Sequence, residues 1–555
     1  MRSALYGAAV LQMIEETPKD RSTKEFDIIV IGAGINGAGI ARDAAMRGLE
    51  VLLLDKGDIG GGTSSWSTRL IHGGLRYLEH GEFGLVRESL RERETLFRIS
   101  PHLVRPLALL IPMYKRARRG RWMVRAGMFV YDVLSFDKTL PPHQMLSPAQ
   151  ALQRAPGLDP TGLVGAALYY DAQAEFAERL VLENALSAIE HGAKVITYAR
   201  VDKFIVEGEA LRGVEFMDQL KGKSQVARAK LVVNAAGPWV DEVLGIDQLE
   251  KDGASSQRLI GGTKGSHIIV APFSGAPAGA LYIEAETDHR PFFIIPWNRN
   301  YLIGTTDIRF EGDLDHVQID DKEIDYLLRE TNRLIPMANL ARRQILYTYS
   351  GIRPLAFSDD KDEQSITRQH FIRPHASFKN LFSIVGGKLT TYRSLAEQTV
   401  DLALKKLGPG SSKCQTAQTA LPGANTSDFA AFEKYFKQHS GLSDAVSNRL
   451  LRIYGTRSLR VSNLIAEDVS LAEVFDSETG AIAAEIVFAF KHELAQTISD
   501  CLLRRTMVGL NSTCGLNAVE AAGRISQKYL NWSEGRVEQE IAAYRKEIEK
   551  FNPRG

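Results

Sequence analysis

Phe26-Asp27-Ile28-Ile29-Val30-Ile31-Gly32-Ala33-Gly34-Ile35-Asn36-Gly37 is an apolar run that enters a G-x-G-x-x-G turn. A helical pattern follows from Asn36 to Arg47, and a second apolar strand, Val51 to Leu54, ends on Asp55. This is the order of a βαβ unit that binds the diphosphate of a dinucleotide. Gly32 makes the tight turn, Gly34 lets the backbone approach the pyrophosphate, and Gly37 lets helix and strand pack closely. The helix N-terminus offers unpaired N–H groups and a partial positive charge to the phosphates. Asp55, roughly 20 residues beyond the turn, is placed to accept hydrogen bonds from ribose hydroxyls. The turn pattern alone is weak. The two strands, the helix and the acid around it give it meaning.

Further along, Gly60-Gly61-Gly62-Thr63-Ser64-Ser65-Trp66-Ser67 is a glycine- and hydroxyl-rich loop where a bound cofactor should extend. Ser64, Ser65 and Ser67 are its candidate ligands. Two later turns follow the same logic. Leu231-Val232-Val233-Asn234-Ala235-Ala236-Gly237 is a strand ending in small residues, which suits close approach by a flat ligand at Ala236 and Gly237. Phe382 to Val385 is an apolar strand running into Gly386-Gly387-Lys388-Leu389-Thr390-Thr391, which opens a helix with Ala396, Val400, Ala403 and Leu407 on one face. A helix N-terminus there would stabilise negative charge on a reduced ring. Three such turns point to one long cofactor held by several strand ends.

The chain has 555 residues, too many for one core, so two or three domains are expected. Hydrophobic residues make up 44%, as in a globular protein, and no apolar run approaches the roughly 20 residues of a transmembrane helix. A net charge of +1 argues against general nucleic-acid binding. Cys414, Cys501 and Cys514 are few and lack C-x-x-C spacing, which implies a reducing compartment without a disulfide framework. The histidines form no ligand cluster, so no metal is expected. Residues 1–24 read as an arm or docking helix, because Glu15, Glu16 and Asp20 weaken a targeting-signal reading.

Between these landmarks, helices are expected from Gly84 to Ile99 and from Glu175 to His191. Strands are expected over Val195–Val206, Leu211–Met217 and Ala227–Val233, and Arg258 to Leu355 reads as mostly antiparallel sheet. Residues 410–423 read as a linker, and the rest as helical. Lys115 to Tyr131 is distinctive. Lys115, Arg116, Arg118, Arg119, Arg121 and Arg125 crowd beside Trp122, Met123, Met128, Phe129 and Val130. Basic charge beside large apolar side chains suits an interfacial helix on an anionic membrane, while a solvated basic face over ordinary core is the plainer alternative.

Several runs carry a resemblance to a known family. They are Ile31–Gly39, Leu70-Ile71-His72-Gly73-Gly74-Leu75-Arg76-Tyr77-Leu78, Asn234–Trp239, Lys264-Gly265-Ser266-His267, Ile303-Gly304-Thr305-Thr306-Asp307, Tyr349-Ser350-Gly351-Ile352-Arg353-Pro354-Leu355, Gly386–Arg393 and Asp500–Thr506. In this order they resemble the FAD-dependent, quinone-linked glycerol-3-phosphate dehydrogenases of the D-amino-acid-oxidase-like flavoenzymes, over roughly residues 25 to 545. The resemblance implies oxidation of sn-glycerol 3-phosphate to dihydroxyacetone phosphate, with FAD as cofactor and a membrane quinone as acceptor. It implies an α/β plus α architecture: a Rossmann-like FAD-binding domain, an antiparallel β-rich substrate cap and a helical C-terminal domain. The expected division is an arm at 1–24, FAD-binding parts at 25–105, 166–257 and 366–409, cap at 106–165 and 258–365, and the C-terminal domain at 410–555.

A phosphate dianion needs cationic partners. On motifs that resemble the family's substrate site stand Arg76, Arg368 and Lys388, with Tyr77 as a hydrogen-bonding neighbour. Lys388, Leu389 and Thr390 also belong to the cofactor turn with Gly386 and Gly387. His267 is the first candidate for the base and His72 the second, since neutral imidazole accepts a hydroxyl proton near pH 7. Arg353 suits stabilisation of a developing alkoxide. Peripheral docking to an anionic membrane, on the cytoplasmic face of a bacterial inner membrane or in the cytoplasm, follows from the resemblance. A homodimer is compatible with the sequence. Rival readings are an oxygen-using glycerol-3-phosphate oxidase, a flavin amine or amino-acid oxidase, and a flavin-binding scaffold without turnover.

Overall fold

The computed structural model describes residues 25–115, 117–208, 210–245, 258–358, 369–408 and 412–552. The expected N-terminal arm lies outside them.

The strand Glu25–Ile31 sits at the centre of an eight-stranded sheet. Ile28, Ile29 and Val30 are fully buried, as the strands of a parallel sheet covered on both faces should be. Glu25–Ile31 pairs in parallel with Lys223–Asn234 on one side and Val51–Leu54 on the other. Leu381–Val385 and Lys194–Ile196 extend the parallel set outward. This sheet is therefore assembled from three separated parts of the chain. The helix Ile35–Met46 crosses this sheet, and its small residues let neighbours approach closely. Gly39 has Tyr392 of the helix Tyr392–Leu407 at 2.8 Å from where a Cβ would stand. The helix Ala177–Glu190 packs against it as well.

The β-rich segment Val195–Val206 forms two strands, Lys194–Ile196 and Ala199–Glu207. Between them Tyr198 turns the chain at φ +55°, held by its N–H to the Gly57 carbonyl at 2.9 Å and its hydroxyl to Asp500 at 2.6 Å. A tertiary anchor overrides a continuous β pattern here.

A second sheet of ten strands, mostly antiparallel, stands beside the first. It combines Val104–Tyr114 and Leu163–Ala174, paired along their length, with Thr263–Val270, Ala280–Glu284, Pro291–Trp297, Asn300–Gly304 and Ile345–Arg353. Within Arg258 to Leu355 the reading as sheet missed one helix, Asp321–Leu334. Its start is marked by a capping box between Asp320 and Glu323, and Ile324, Leu327, Leu328 and Leu334 are buried beneath a mostly polar surface.

Six helices longer than nine residues, from Phe429–His439 to Glu534–Ile548, make up the C-terminal region among the described residues. Asp428, Ser443 and Ser533 cap three of them. This region shares a core with the second sheet, where Trp297, Tyr347 and Tyr349 meet Leu502, Leu503 and Phe551. The Tyr347 hydroxyl donates to the Leu510 carbonyl at 3.0 Å.

Candidate active site

The first turn forms a cradle. Gly32 has φ +102°, and a Cβ there would lie 2.6 Å from the Ala235 carbonyl oxygen, so the first and second turns touch. A Cβ on Gly37 would fall on the Gly32 carbonyl oxygen. Gly34 is the N-cap of the helix and provides no side-chain cap, so the helix end is left for a ligand. The Ile35 N–H is met by Ser64 Oγ at 3.0 Å, which joins the Gly60–Ser67 loop to the cradle. The Asp55 carboxylate accepts from Ala33 N at 2.5 Å and Gly57 N at 2.8 Å, and burial raises its pKa. Asn36 reaches the third turn, donating to the Gly386 carbonyl at 3.2 Å, and its buried Oδ1 has no partner among the described residues. Three turns from distant parts of the chain thus meet at one helix N-terminus, the arrangement a long dinucleotide requires.

Other predicted cofactor residues take structural positions. Ser65 is fully buried and donates to the Gly60 carbonyl at 2.6 Å, closing its own loop. Ser67 Oγ accepts from Arg69 N at 3.2 Å. The Ala236 N–H reaches Asn234 Oδ1 at 3.3 Å, and Gly237 follows at φ +60°. Gly387 packs against the Asn36 amide. Leu389 is half-buried, and Thr390 Oγ1 accepts from His72 N at 3.2 Å, which ties the third turn to the His72–Tyr77 loop.

Beside the cradle lies a cavity of about 370 Å³. His72, Arg76, Tyr77 and Arg353, all singled out in the sequence, line it, and Thr68, Arg290, Thr305 and Asp307 join them. Asp307 is shared. Arg353 Nη1 donates to Oδ1 at 2.9 Å, while Arg290 pairs with Oδ2 and also donates to the Asp307 carbonyl at 2.5 Å. Arg353 is fixed further by Thr305 Oγ1 at 3.0 Å and the Thr306 carbonyl at 3.1 Å. Thr306 is held in turn by Glu323, from the cap of the overlooked helix, at 2.6 Å. Burial, then the positive charge of Arg353, lowers the pKa of Arg290 to about 10, so it remains protonated at neutral pH. Three guanidiniums around Asp307 and Glu82 leave the cavity with surplus positive charge suited to an oxyanion.

Lys388 Nζ stands 3.7 Å from the centre of the Tyr77 ring, which places this cation next to the cavity wall. The His72–Tyr77 loop is supported from below. Gly73 N donates to the Tyr131 hydroxyl at 2.9 Å, and that hydroxyl donates to Asp171 at 2.7 Å. His267 lies behind the cavity wall. It is buried against Tyr349, and its Nε2 is 2.9 Å from Thr68 Oγ1. Nδ1 has no partner among the described residues, so the tautomers differ in the direction of the Thr68 bond. Burial and the nearby cations Arg353 and Arg69 push its pKa well below the usual value, keeping the ring neutral. Burial lowers the pKa of His72 also. Arg368 lies outside the described residues.

Sequence reasoning passed over Thr68, Arg290 and Asp307. Asp307 ends a recognised motif, so its signal was present. Arg290 stands alone in a polar turn before an apolar strand and carries no local pattern.

The helix Arg121–Leu134 occupies the distinctive basic segment. Trp122, Met123, Phe129 and Val133 are exposed, as is Phe136 just beyond. Met128 and Tyr131 face the core instead. Arg118, Arg121 and Arg125 are exposed, whereas Arg119 is held between Glu79 and Glu284. Arg116 lies outside the described residues. Among the described residues no helix is long and apolar enough to cross a membrane.

Comparison with known proteins places these features in context. Residues 27–401 match the family described as FAD dependent oxidoreductase, and residues 414–537 match the C-terminal domain of alpha-glycerophosphate oxidase. The chain is 46% identical to a glycerol-3-phosphate dehydrogenase of Synechocystis sp., covering 95% of this chain and 96% of that one. It is 34% identical to an aerobic glycerol-3-phosphate dehydrogenase of Staphylococcus haemolyticus, over 89% and 88%. Among solved structures, the glycerol-3-phosphate dehydrogenase of Bacillus halodurans complexed with FAD is similar with a TM-score of 0.77, 28% identity and 96% coverage of each chain.

Proposed function

Because the chain belongs to the family of FAD-dependent glycerol-3-phosphate dehydrogenases, we propose that it oxidises sn-glycerol 3-phosphate to dihydroxyacetone phosphate and passes the electrons to a membrane quinone. The observation that carries this reading is the cation-rich cavity joined to the dinucleotide cradle through the contact between His72 and Thr390. Bound FAD supplies the hydride acceptor. The protein supplies position, charge and a proton acceptor.

Gly32, Gly34, Gly37 and the adjoining helix end would hold the diphosphate, and Asp55 would accept from the ribose hydroxyls. Ser64, Ser65, Ser67, Ala236, Gly237 and Gly386 to Thr390 shape the remaining length of the cofactor site. Arg76, Arg368 and Lys388 hold the phosphate, with Tyr77 beside them. Arg353, fixed by Asp307 and Thr305, stabilises the oxygen on C2 as its proton leaves. His267 accepts that proton at Nε2 through the Thr68 hydroxyl, and His72, which lines the cavity itself, is the second candidate. The functional division follows the three FAD-binding parts, the cap and the helical C-terminal domain.

The exposed apolar face of Arg121–Leu134, flanked by Arg118, Arg121 and Arg125, suits peripheral docking to an anionic membrane where a quinone is available. The match of residues 414–537 to an oxidase domain favours one second reading, with oxygen as acceptor. Turnover with sn-glycerol 3-phosphate and a soluble quinone analogue, measured against oxygen alone, separates the two. Faster turnover with the quinone supports the dehydrogenase, and equal or faster turnover with oxygen supports the oxidase. Equal rates with glycerol and glycerol 3-phosphate would remove the role given to the cations.

A further inference from the structure

The dinucleotide turn is gripped on both sides of Ala33. Its N–H donates to Asp55 Oδ2 at 2.5 Å, and its carbonyl accepts from Gly60 N at 3.0 Å. Both grips come from one corner of the chain, residues 55–60. That corner is closed by the Gly61 N–H to the Asp58 carbonyl at 3.0 Å and by the Tyr198 N–H to the Gly57 carbonyl at 2.9 Å. The Asp58 side chain is fully buried and meets the C-terminal region. It accepts from Arg504 Nε at 2.5 Å and from Arg505 Nη1 and Nη2 at 2.9 and 2.7 Å. These arginines lie on a π-helical turn, Asp500–Arg505, in the C-terminal region. Arg504 also donates to Asp500, which accepts from Tyr198, so the same cluster reaches the corner a second time. Arg505 donates to the Glu493 carbonyl at 2.7 Å, and the Glu493 carboxylate receives Arg179 from the helix packed on the dinucleotide helix.

We propose that Asp58 is a positioning residue for the cofactor turn, and that the C-terminal domain sets FAD affinity by holding Asp58 with Arg504 and Arg505. A carboxylate in this setting cannot be hydrated, so its place is fixed by the two guanidiniums. Loss of either side leaves a buried charge without its partner and lets the 55–60 corner shift. Ala33 and the adjoining helix N-terminus would then no longer sit at the spacing a diphosphate needs. This goes beyond the proposed reaction, since it assigns a task to the C-terminal domain and depends on cofactor binding alone.

The test is Asp58→Asn in the full-length protein, stripped of flavin and titrated with FAD while flavin fluorescence is followed. The expected result is a Kd for FAD raised tenfold or more, with a smaller FAD-induced rise in melting temperature. KM for glycerol 3-phosphate at saturating FAD stays within twofold. A purely structural role instead lowers the melting temperatures of the stripped and FAD-bound forms equally and leaves Kd alone. If Asp58→Asn yields no soluble protein, Arg505→Lys keeps a positive charge beside Asp58 while removing the paired N–H bonds, and is read in the same titration. A rise of threefold or more in the soluble variant supports the proposal, and a smaller one overturns it. Tight FAD binding by the wild type, run alongside, separates this result from any failure of the substrate reading.

Discussion

Arg290 and Arg353 divide the two carboxylate oxygens of Asp307 between them, so neither arginine can be altered without disturbing the other. Arg290→Gln is expected to raise KM for glycerol 3-phosphate by about tenfold and to cost about 2 kcal/mol of stability, the range for a hydrogen bond to a charged group. Steady-state kinetics and urea unfolding check both, and an unchanged KM would show that Arg290 takes no part in holding the substrate. Arg353→Lys should lower kcat/KM by about 10²-fold, because an ammonium cannot reproduce the forked contacts to Asp307, Thr305 and Thr306.

His267 gives a prediction in pH. Its folded pKa is depressed by burial and by Arg353, so below the ordinary histidine value the unfolded chain binds a proton that the folded chain does not. Its contribution to stability is complete above about pH 6.5 and is lost as pH falls below it, at up to about 1.4 kcal/mol per pH unit. Unfolding midpoints between pH 7.5 and 5.5 should fall less steeply in His267→Asn than in the wild type. Identical slopes would contradict the buried neutral imidazole. The same variant tests the base, since near-normal turnover and pH profile would remove His267 from that role.

At the scale of elements, two helices carry opposite lessons. Ile35–Met46 was legible because its signals are local: strand, glycines, helix and Asp55 fall within one short stretch. A side chain at Gly37 has no space against Gly32, so Gly37→Ala should leave a protein that purifies without flavin colour. Retained colour would show that the turn can shift. Arg121–Leu134 was legible only in part. Composition pointed to a basic, apolar surface, and Trp122, Phe129 and Val133 do face outward. Which charges are available depends on neighbours far along the chain, for Arg119 is taken by Glu79 and Glu284. Charge reversal at Arg118, Arg121 and Arg125 should therefore reduce sedimentation with anionic liposomes several-fold without altering glycerol 3-phosphate oxidation measured with a soluble acceptor. Unchanged liposome binding would count against docking through this helix.

At the scale of the molecule, the parts were easier to read than their assembly. Each nucleotide-binding turn could be seen where it occurs, because a glycine at a strand end is a local event. The cavity could not, since His72, Arg290, Asp307 and Arg353 arrive from separate strands and loops, and only the antiparallel sheet brings them together. Arg290 was missed for that reason, and so was the dependence of Thr306 on Glu323 from a helix read as sheet. The buried cluster of Asp58, Arg504 and Arg505 is similar, as 446 residues separate Asp58 from Arg504. Its members are ordinary charged residues until the fold encloses them.

The central claim is that a cationic cavity beside the FAD cradle selects a phosphorylated alcohol for oxidation. The most direct measurement is anaerobic: sn-glycerol 3-phosphate is added to the FAD-loaded protein and the flavin absorbance is followed, with glycerol as the comparison. The account predicts rapid bleaching with glycerol 3-phosphate and none with glycerol at the same concentration. An FAD-loaded protein that is not bleached by glycerol 3-phosphate, or is bleached equally by both, would contradict it.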